Sequence, residues 1–536
     1  MSDKENHKEK HIAKNVAAVG ALTGFSRVLG LAREMLTSRL MGAGLEQSAF
    51  VFAFQIPNLF RKLFGEGALT AAFVPVFKER VVHGDSAGAE RLARAVASMV
   101  FLLLGGVCAV GVAAISALIP FLEPDGKAAA VLRLTRIMLP YAAMICVAAF
   151  ASGVLNGLDK FRRAALAPAI LNMVWIATLA GLFFFPELPV WTRVEIVSWS
   201  VLLSGLLQML FVMRAASKSG VTLKLTFSAW RESGVAKVWR NTAIGALGMG
   251  AQQVNLVLDN TLALWAAAYG ASAIAYAERV VYLPLGVVAT AFVTVLLPSL
   301  AGRFSRGELD DARALLGKSL EEMLALMIPA AAGLFLLAED ITWLLYESGA
   351  SSKFTALDTV YVARAMRCYS LGLVAFSLHK MLAVWFHAQK DVRTPLQVAV
   401  MMIGLNLAFN IAGVVLLPDG WKHAGIAGST VVCSFISSGV LVWIARRRGA
   451  APDFGMVLAN GAKLAAAAAL MCLAAWQARA LIGGLMETRG VHRIFIVFIP
   501  MAAAMLAYAV AALALCPAVM RRMLGGAALR RAAPRA

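Results

Sequence analysis

The chain has few cysteines, and their positions exclude a disulfide scaffold or a cysteine-based metal site. Its 536 residues include six cysteines, and these form no C-x-x-C pair. In apolar segments a cysteine behaves as a small hydrophobic side chain. We therefore expect buried thiols rather than disulfides or metal ligands at all six positions, which are Cys108, Cys146, Cys368, Cys433, Cys472 and Cys516.

The sequence also lacks the motifs of the common catalytic and nucleotide-binding sites. It has no H-E-x-x-H, no P-loop and no G-x-S-x-G, and its seven histidines are scattered. The paired acids Asp310–Asp311 and Glu321–Glu322 fall in or beside a basic loop, where they are most simply solvated. We therefore predict that the chain is not an enzyme, has no cofactor and makes no direct use of ATP.

Apolar residues, in contrast, are abundant and occur in long runs. The chain is 60% hydrophobic, with a mean hydropathy of +0.76, whereas soluble domains are about 45–50% apolar. Runs of about 20 apolar residues are long enough to cross a bilayer as helices. The predicted fold class is therefore an all-α polytopic membrane protein with about 14 transmembrane helices. The predicted spans are 12–36, 49–77, 95–120, 131–156, 165–186, 193–213, 240–267, 272–301, 319–345, 360–386, 394–417, 423–445, 457–482 and 493–517.

The positively charged residues are distributed unevenly between alternate connections of the predicted spans. The net charge is +20, and alternate connections between spans carry roughly 31 and roughly 7 Lys and Arg residues. Because short cytoplasmic loops are enriched in Lys and Arg, both termini are predicted to be cytoplasmic. The charge needs no nucleic-acid partner to explain it.

A weak internal repeat divides the spans into two sets of six. Asn15–Gly24 resembles Asn241–Gly250, and the Asp159 segment resembles the Asp391 segment, at offsets of about 226 and 232 residues. Two six-helix halves share one orientation, and such halves usually enclose a substrate site near the midplane. The predicted domains are an N-terminal bundle at 1–213, a cytoplasmic linker at 214–239, a C-terminal bundle at 240–446, two extra helices at 447–520 and a basic cytoplasmic tail at 521–536.

Four arginines lie inside segments that otherwise have the composition of transmembrane helices: Arg27, Arg33, Arg61 and Arg279. Each costs about 2.5–3.5 kcal/mol at the bilayer centre on insertion scales. Helix packing does not require them, so we expect them to face a central, water-filled, cationic cavity between two pseudo-symmetric bundles. Guanidinium groups bind carboxylate and phosphate, which indicates an anionic ligand.

Acidic side chains near these arginines leave a second interpretation open, in which the charges form structural ion pairs. Glu34 shares a helix face with Arg27, Lys62 can pair with Glu66 at i, i+4, and Glu278 precedes Arg279. Asp259 either neutralises an arginine or binds a coupling cation. Breaks are predicted in span two, at Pro57, Gly65, Gly67 and Pro75, and in span eight, at Pro284.

Seven ordered motifs together resemble one known family. They are Phe25–Glu34, Gly42–Gly44, Ile56–Lys62, Glu66–Ala68, Ala72–Pro75, Tyr276–Arg279 and Leu297–Leu300. The chain resembles, over essentially its whole length, the MurJ (MviN) family of bacterial lipid II flippases. The resemblance implies the fold of the multidrug/oligosaccharidyl-lipid/polysaccharide exporters, with two bundles around a cationic cavity and an extra helix pair forming a groove for a lipid tail.

The resemblance also assigns roles to residues. It implies that Arg33, Arg61 and Arg279 take a diphosphate and that Arg27 shares their cavity. Asn58 and Ser272 match cavity positions of the family as well, and Glu34 keeps the charge of an aspartate found in other members. Ser48, in contrast, stands where some members carry an acid.

The function implied by the resemblance is flipping of lipid II, the undecaprenyl-diphosphate-linked peptidoglycan precursor, across the bacterial inner membrane by alternating access. The partners are then lipid II, membrane lipids and other cell-wall synthesis proteins, with coupling to the membrane potential or to a monovalent cation. Two alternatives stay open: an exporter of the same fold for drugs or another lipid-linked oligosaccharide, and a scaffold that transports nothing.

Overall fold

The computed structural model describes residues 22, 24–65, 67–226, 232–349, 352–449, 454–485 and 492–532, which are helical with short connections. Within these ranges, ten helices are long and apolar enough to cross a membrane. The number rises to eleven when the pair Lys127–Met138 and Tyr141–Gly157, bent by 43°, is taken as one span. The all-α membrane class is thus confirmed, whereas the count of 14 stays a prediction.

The three predicted spans missing from this set are the first, second and seventh. The first begins in residues outside the described part of the chain, and the second is divided between two helices. The seventh carries Asn255, Asp259 and Asn260, which lower its hydropathy. These are the spans to which the sequence assigns most of the polar cavity residues, and in the seventh the polar side chains themselves weaken the membrane signal.

The helices of the first compact unit, which comprises Met1–Ser272 with Gly349–Phe354, pack around two hydrophobic clusters. In one cluster, the rings of Phe73 and Phe150 lie 4.5 Å apart. In the other, Trp175 meets Phe50 edge-on at 5.1 Å. The helices of this unit are α1 (24–41), α2 (Leu45–Phe60), α3 (Ala68–Val82), α4 (Ser86–Leu118), α5 (Lys127–Met138), α6 (Tyr141–Gly157), α7 (Phe161–Leu182), α8 (Val190–Ser217) and α9 (Val235–Ala266).

Helix α9 packs against α3 inside this first unit, although the sequence assigns its residues to the C-terminal bundle at 240–446. The compact units are defined by contacts between helices, whereas the predicted domains follow the inferred internal repeat. Because these two divisions rest on different properties, the predicted domain boundaries stay predictions.

The second compact unit comprises Ala273–Ser348 and Thr355–Ala536. Helix α14 lies deepest in it, with Trp385 fully buried and packed 4.9 Å from the ring of Phe304. The helices are α10 (Gly270–Pro284), which begins at the end of the first unit, α11 (Thr290–Ser305), α12 (Leu309–Leu336), α13 (Ala338–Thr342), α14 (Ala356–Ala388), α15 (Arg393–Leu416), α16 (Lys422–Arg447), α17 (Phe454–Leu485), α18 (His492–Leu515) and α19 (Pro517–Ala532).

The two extra C-terminal helices, α17 and α18, pack on each other and on α12. The hydroxyl of Tyr508 donates to the carbonyl of Ala325 at 2.6 Å, and Asn460 donates to Glu321 at 2.9 Å. Polar contacts inside a membrane protein fix which helix faces meet, because apolar faces alone do not distinguish protein from lipid. None of the six cysteines, all of which lie in the described ranges, forms a disulfide, and four of them are buried and two half-buried.

Candidate functional site

The second predicted span is broken near its predicted glycine positions, Gly65 and Gly67, whereas Pro57 and Pro75 lie inside the helices α2 and α3. Helix α2 ends at Phe60, a π-helical turn occupies Arg61–Gly65, and α3 begins at Ala68. Irregular backbone at membrane depth is tolerated where it is buried in protein or lines a cavity. Arg61 opens this turn, and its Nε donates to Oδ1 of Asn58 at 3.1 Å.

Arg61 lines a cavity of about 400 Å³ within the first unit. Its polar lining also includes Thr70, Ser152, Asn156 and Gln208, and the other lining residues are apolar. Hydroxyl and amide groups beside a single guanidinium can hydrogen-bond an anion without neutralising the arginine. The cavity is therefore chemically suited to a phosphate-bearing ligand.

Arg33 lies in a buried polar cluster between α1 and α7. Only 5% of the residue is exposed, and Nη2 pairs with Oε1 of Glu34 at 2.5 Å. Nη1 donates to Oδ1 of Asn172 at 3.1 Å, and the guanidinium carbon lies 4.3 Å from the ring centre of Trp175. Arg33 and Glu34 thus form an ion pair in this structure, and the role of Arg33 in a ligand site stays a prediction.

The other two cationic candidates are exposed. Arg27 lies on the exposed side of α1, and Arg279 is exposed on α10, where its neighbour Glu278 is half-buried. Helix α10 ends at Pro284 and continues as a π-helical turn over Leu285–Ala289, so the predicted break near Pro284 is confirmed. Arg27 belongs to the first unit and Arg279 to the second.

Ser272, at the start of α10 and still within the first unit, is fully buried. Its hydroxyl donates to the carbonyl of Ala43 at 2.5 Å, and the hydroxyl of Ser48 donates to its oxygen at 3.0 Å. Asp259, 5% exposed, accepts from the amide of Asn255 at 3.2 Å. These contacts hold both side chains in place, and the role of each in a ligand site stays a prediction.

The structure joins some of the predicted site residues and leaves others apart. Arg61 contacts Asn58, and Arg33 contacts Glu34. Lys62 lies half-buried in the π-helical turn, while its predicted partner Glu66 falls outside the described residues. Across the described residues, no group of three or more His, Cys, Asp or Glu side chains could hold a metal ion.

Sequence reasoning missed the two residues of α7 that hold Arg33. Asn172 and Trp175 are three residues apart and therefore share a helix face. A signal was present, because Asn172 is a lone amide in an apolar run, and amides in such runs often hydrogen-bond across helices. The partner helix could not be identified from spacing alone.

Comparison with known proteins gives consistent results. The family sequence model described as "Lipid II flippase MurJ" matches residues 37–499. The chain is 35% identical over 445 residues to a protein of Rhizobium tropici named "Probable lipid II flippase MurJ", covering 82% of this chain and 81% of that protein. It is 33% identical over 447 residues to the "Lipid II flippase MurJ" of Burkholderia cenocepacia, covering 82% and 84%.

Solved structures support the same fold. The chain matches a structure described as "Lipid II flippase MurJ, inward closed conformation" with a TM-score of 0.72 and 22% identity, covering 94% of this chain and 99% of that one. An inward-facing multidrug resistance MATE family transporter of the MOP superfamily matches with a TM-score of 0.65 and 17% identity, covering 79% and 94%. From the family match and the two relatives together, the chain belongs to the lipid II flippase MurJ family.

Proposed function

We propose that this chain moves lipid II from the cytoplasmic to the periplasmic leaflet of the bacterial inner membrane. The observation that carries the proposal is Arg61, placed by a break in its helix on the wall of a polar cavity, in a chain whose relatives are named lipid II flippases. A diphosphate is the part of lipid II that a guanidinium group binds best.

Arg27, Arg33 and Arg279 are proposed to act on the same diphosphate during the cycle. Arg27 and Arg279 are exposed, which suits a first encounter with a charged head group. Arg33 is paired with Glu34, so binding there requires the diphosphate to replace a carboxylate. Asp259, Glu278, Ser272, Asn58, Lys62 and Glu66 are proposed as supporting residues.

The lipid tail has a separate proposed site on α17 and α18. Both helices are long and apolar, with exposed Leu473, Trp476 and Leu506 among their outward side chains. A polyprenyl chain that stays in the bilayer needs an apolar surface beside its head-group site. The polar contacts of Asn460 and Tyr508 hold this surface against α12 within the second unit.

The proposed cycle is alternating access without chemical conversion of the substrate, with both termini of the chain in the cytoplasm. Lipid II biases the cycle only through its different affinities for the two conformations. The anionic head group or a co-bound monovalent cation couples the cycle to the membrane potential, which is worth about 2.3 kcal/mol per charge per 100 mV.

The test is complementation after depletion of the chain in its host. We expect Arg61→Ala to abolish rescue, with lipid II accumulating in the inner leaflet, because the cavity loses its cation. Arg61→Lys should rescue weakly, since an ammonium group keeps the charge but not the fork of N–H donors. Arg306→Ala, in an exposed loop pair with Glu308, is the matched control and should rescue fully.

Membrane insertion of each variant is measured by labelling, so that lost function is separated from lost protein. Full rescue by Arg61→Ala would contradict the assignment of the cavity and favour a scaffold role. An unchanged leaflet distribution of lipid II on depletion, together with altered drug efflux, would instead favour an exporter of the same fold.

A further inference from the structure

The polar cluster around Arg33 includes residues to which no part of the proposed mechanism gives a role. Helix α1 presents Ser26, Gly30 and Arg33 at i, i+4 and i+7, so these residues share one face. That face packs against α7, where Asn172 and Trp175 also share a face. Gly30 lies opposite Asn172, because a Cβ at this position would lie 3.9 Å from Nδ2 of Asn172, at ordinary van der Waals distance.

Asn172 bridges the two helices through both ends of its amide. Its Oδ1 accepts from Nη1 of Arg33 at 3.1 Å, and its Nδ2 donates to the carbonyl of Ser26 at 3.0 Å. The residue is 7% exposed. The hydrogen bond to Ser26 fixes the orientation of the Asn172 amide. The oriented amide oxygen in turn holds Nη1 at one edge of the Arg33 guanidinium group.

Trp175 sets the plane of the same guanidinium group. Its ring lies 4.3 Å from the guanidinium carbon of Arg33 and is only 3% exposed. The ring is itself held by Phe50 and Phe54, at 5.1 and 5.5 Å. Arg33 is therefore restrained by a hydrogen bond at one edge and by an aromatic ring on one face, both contributed by α7.

Both restraints are electrically neutral, and this matters for a ligand site. An amide and an indole orient a guanidinium group without cancelling its charge. Glu34, the carboxylate that pairs with Arg33, lies on the same helix as Arg33. Exchange of Glu34 for an incoming phosphate leaves the α7 contacts intact, so the arginine is already oriented when the ligand arrives.

The geometry points to Asn172 and Trp175 as positioning residues that hold Arg33 oriented and charged for the diphosphate of the substrate. This inference rests on the proposed function for the identity of the ligand. The positioning itself rests on the contacts within the first unit. Asn172 contributes the edge restraint and Trp175 the facial one.

The first experiment uses the purified full chain and measures lipid II binding in detergent. We expect Asn172→Ala to weaken binding about tenfold, because a hydrogen bond to a charged group is lost. Asn172→Asp keeps the shape and the bond to Arg33, but it adds a negative charge and loses the Nδ2 donor to the Ser26 carbonyl, so it should weaken binding at least as much.

A double-mutant cycle then asks whether Asn172 acts through Arg33. In an Arg33→Ala background, Asn172→Ala should change lipid II binding less than twofold. Additive losses would overturn the proposal. Thr178→Ala on α7, which removes a hydrogen bond within that helix, is the matched control and should bind like the wild type in both backgrounds.

A second measurement does not depend on lipid II. Modification of Arg33 by phenylglyoxal, followed by mass spectrometry, should quicken about tenfold in Asn172→Ala and in Trp175→Leu, since each frees one side of the guanidinium group. Unchanged reactivity in both variants would overturn the positioning role. Faster modification in both variants, together with a wild-type chain that binds no lipid II, would instead overturn the proposed function and leave the positioning role intact.

Discussion

At the scale of single residues, Asp391 fixes the turn between α14 and α15. The preceding Lys390 has a left-handed backbone, with φ of 63°. Asp391 accepts from the hydroxyl of Thr394 at 2.6 Å and from Nη1 of Arg448 at 2.7 Å. Partial burial raises the pKa of this carboxyl, but these hydrogen bonds outweigh it and lower the pKa to about 2.

Asp391→Asn should therefore lower the stability of the folded chain at neutral pH, and the stability of the variant should depend less on pH in the acidic range. A carboxylate whose folded pKa is depressed stabilises the protein above its unfolded pKa, and this contribution is lost as the pH falls from about 4 to about 2. We expect the melting temperature in detergent to fall by about 2–4 °C at pH 7. The difference from the wild type should close toward pH 2.

The exposed Asp125 provides the control for this substitution. Asp125→Asn removes the same charge from the turn before α5, where the side chain is exposed, and should leave the melting temperature nearly unchanged. A constant difference between Asp391→Asn and the wild type from pH 7 to pH 2 would contradict the role of the ionised carboxylate.

The same scale shows how far a sequence can predict a site. Arg33 and Arg61 could be singled out because charge inside an apolar run has a cost that composition alone reveals. Their surroundings could not be predicted, since Asn172 lies 139 residues from Arg33 in the chain. Spacing gives the face of one helix, and only tertiary packing decides which other helix meets that face.

At the scale of helices, breaks were easier to predict than their form. Pro57 and Gly67 predicted an interruption of span two, and the structure has one at Arg61–Gly65. The π-helical form of that turn depends on how α2 and α3 pack, which periodicity does not encode. Span eight behaves in the same way, with a π-helical turn directly after Pro284.

An ion pair ties α17 to α13, and its loss should destabilise the second unit. Nη1 of Arg479 lies 2.7 Å from Oδ2 of Asp340, whose side chain is 3% exposed. Arg479→Ala leaves that carboxylate buried without this cation. We expect a loss of about 2–3 kcal/mol in unfolding experiments in detergent, reduced from the cost of a fully buried pair because Arg479 is partly exposed.

A second substitution distinguishes charge from packing. Adding Asp340→Asn to Arg479→Ala removes the uncompensated charge and should recover most of the lost stability. Arg306→Ala, which breaks an exposed pair with Glu308, should leave the stability nearly unchanged, because water screens such a pair. If the double variant is no more stable than Arg479→Ala, the loss comes from packing of the arginine stem.

At the scale of the whole molecule, hydropathy and polarity oppose each other in the spans that matter most. Ten or eleven helices meet a length and hydropathy criterion in the described ranges, and the first, second and seventh predicted spans do not. A polar side chain that serves a cavity makes its helix less apolar. Composition therefore predicts the scaffold of a transporter better than its functional helices, and most of the proposed site residues lie in spans that fail this criterion.

The orientation of the C-terminus shows whether the three polar spans cross the membrane. If all three polar helices cross the membrane, the chain has 14 spans, an even number, and both termini lie on the side with the excess of Lys and Arg. We expect a C-terminal green fluorescent protein fusion to fluoresce and a C-terminal alkaline phosphatase fusion to be inactive.

Fusions after the α9 helix, at Tyr269, should behave oppositely, because an odd number of spans precedes that point. Active phosphatase at the C-terminus would mean that one polar helix fails to cross, and the phosphatase fusion points on either side of α2–α3 and α9 would identify which one.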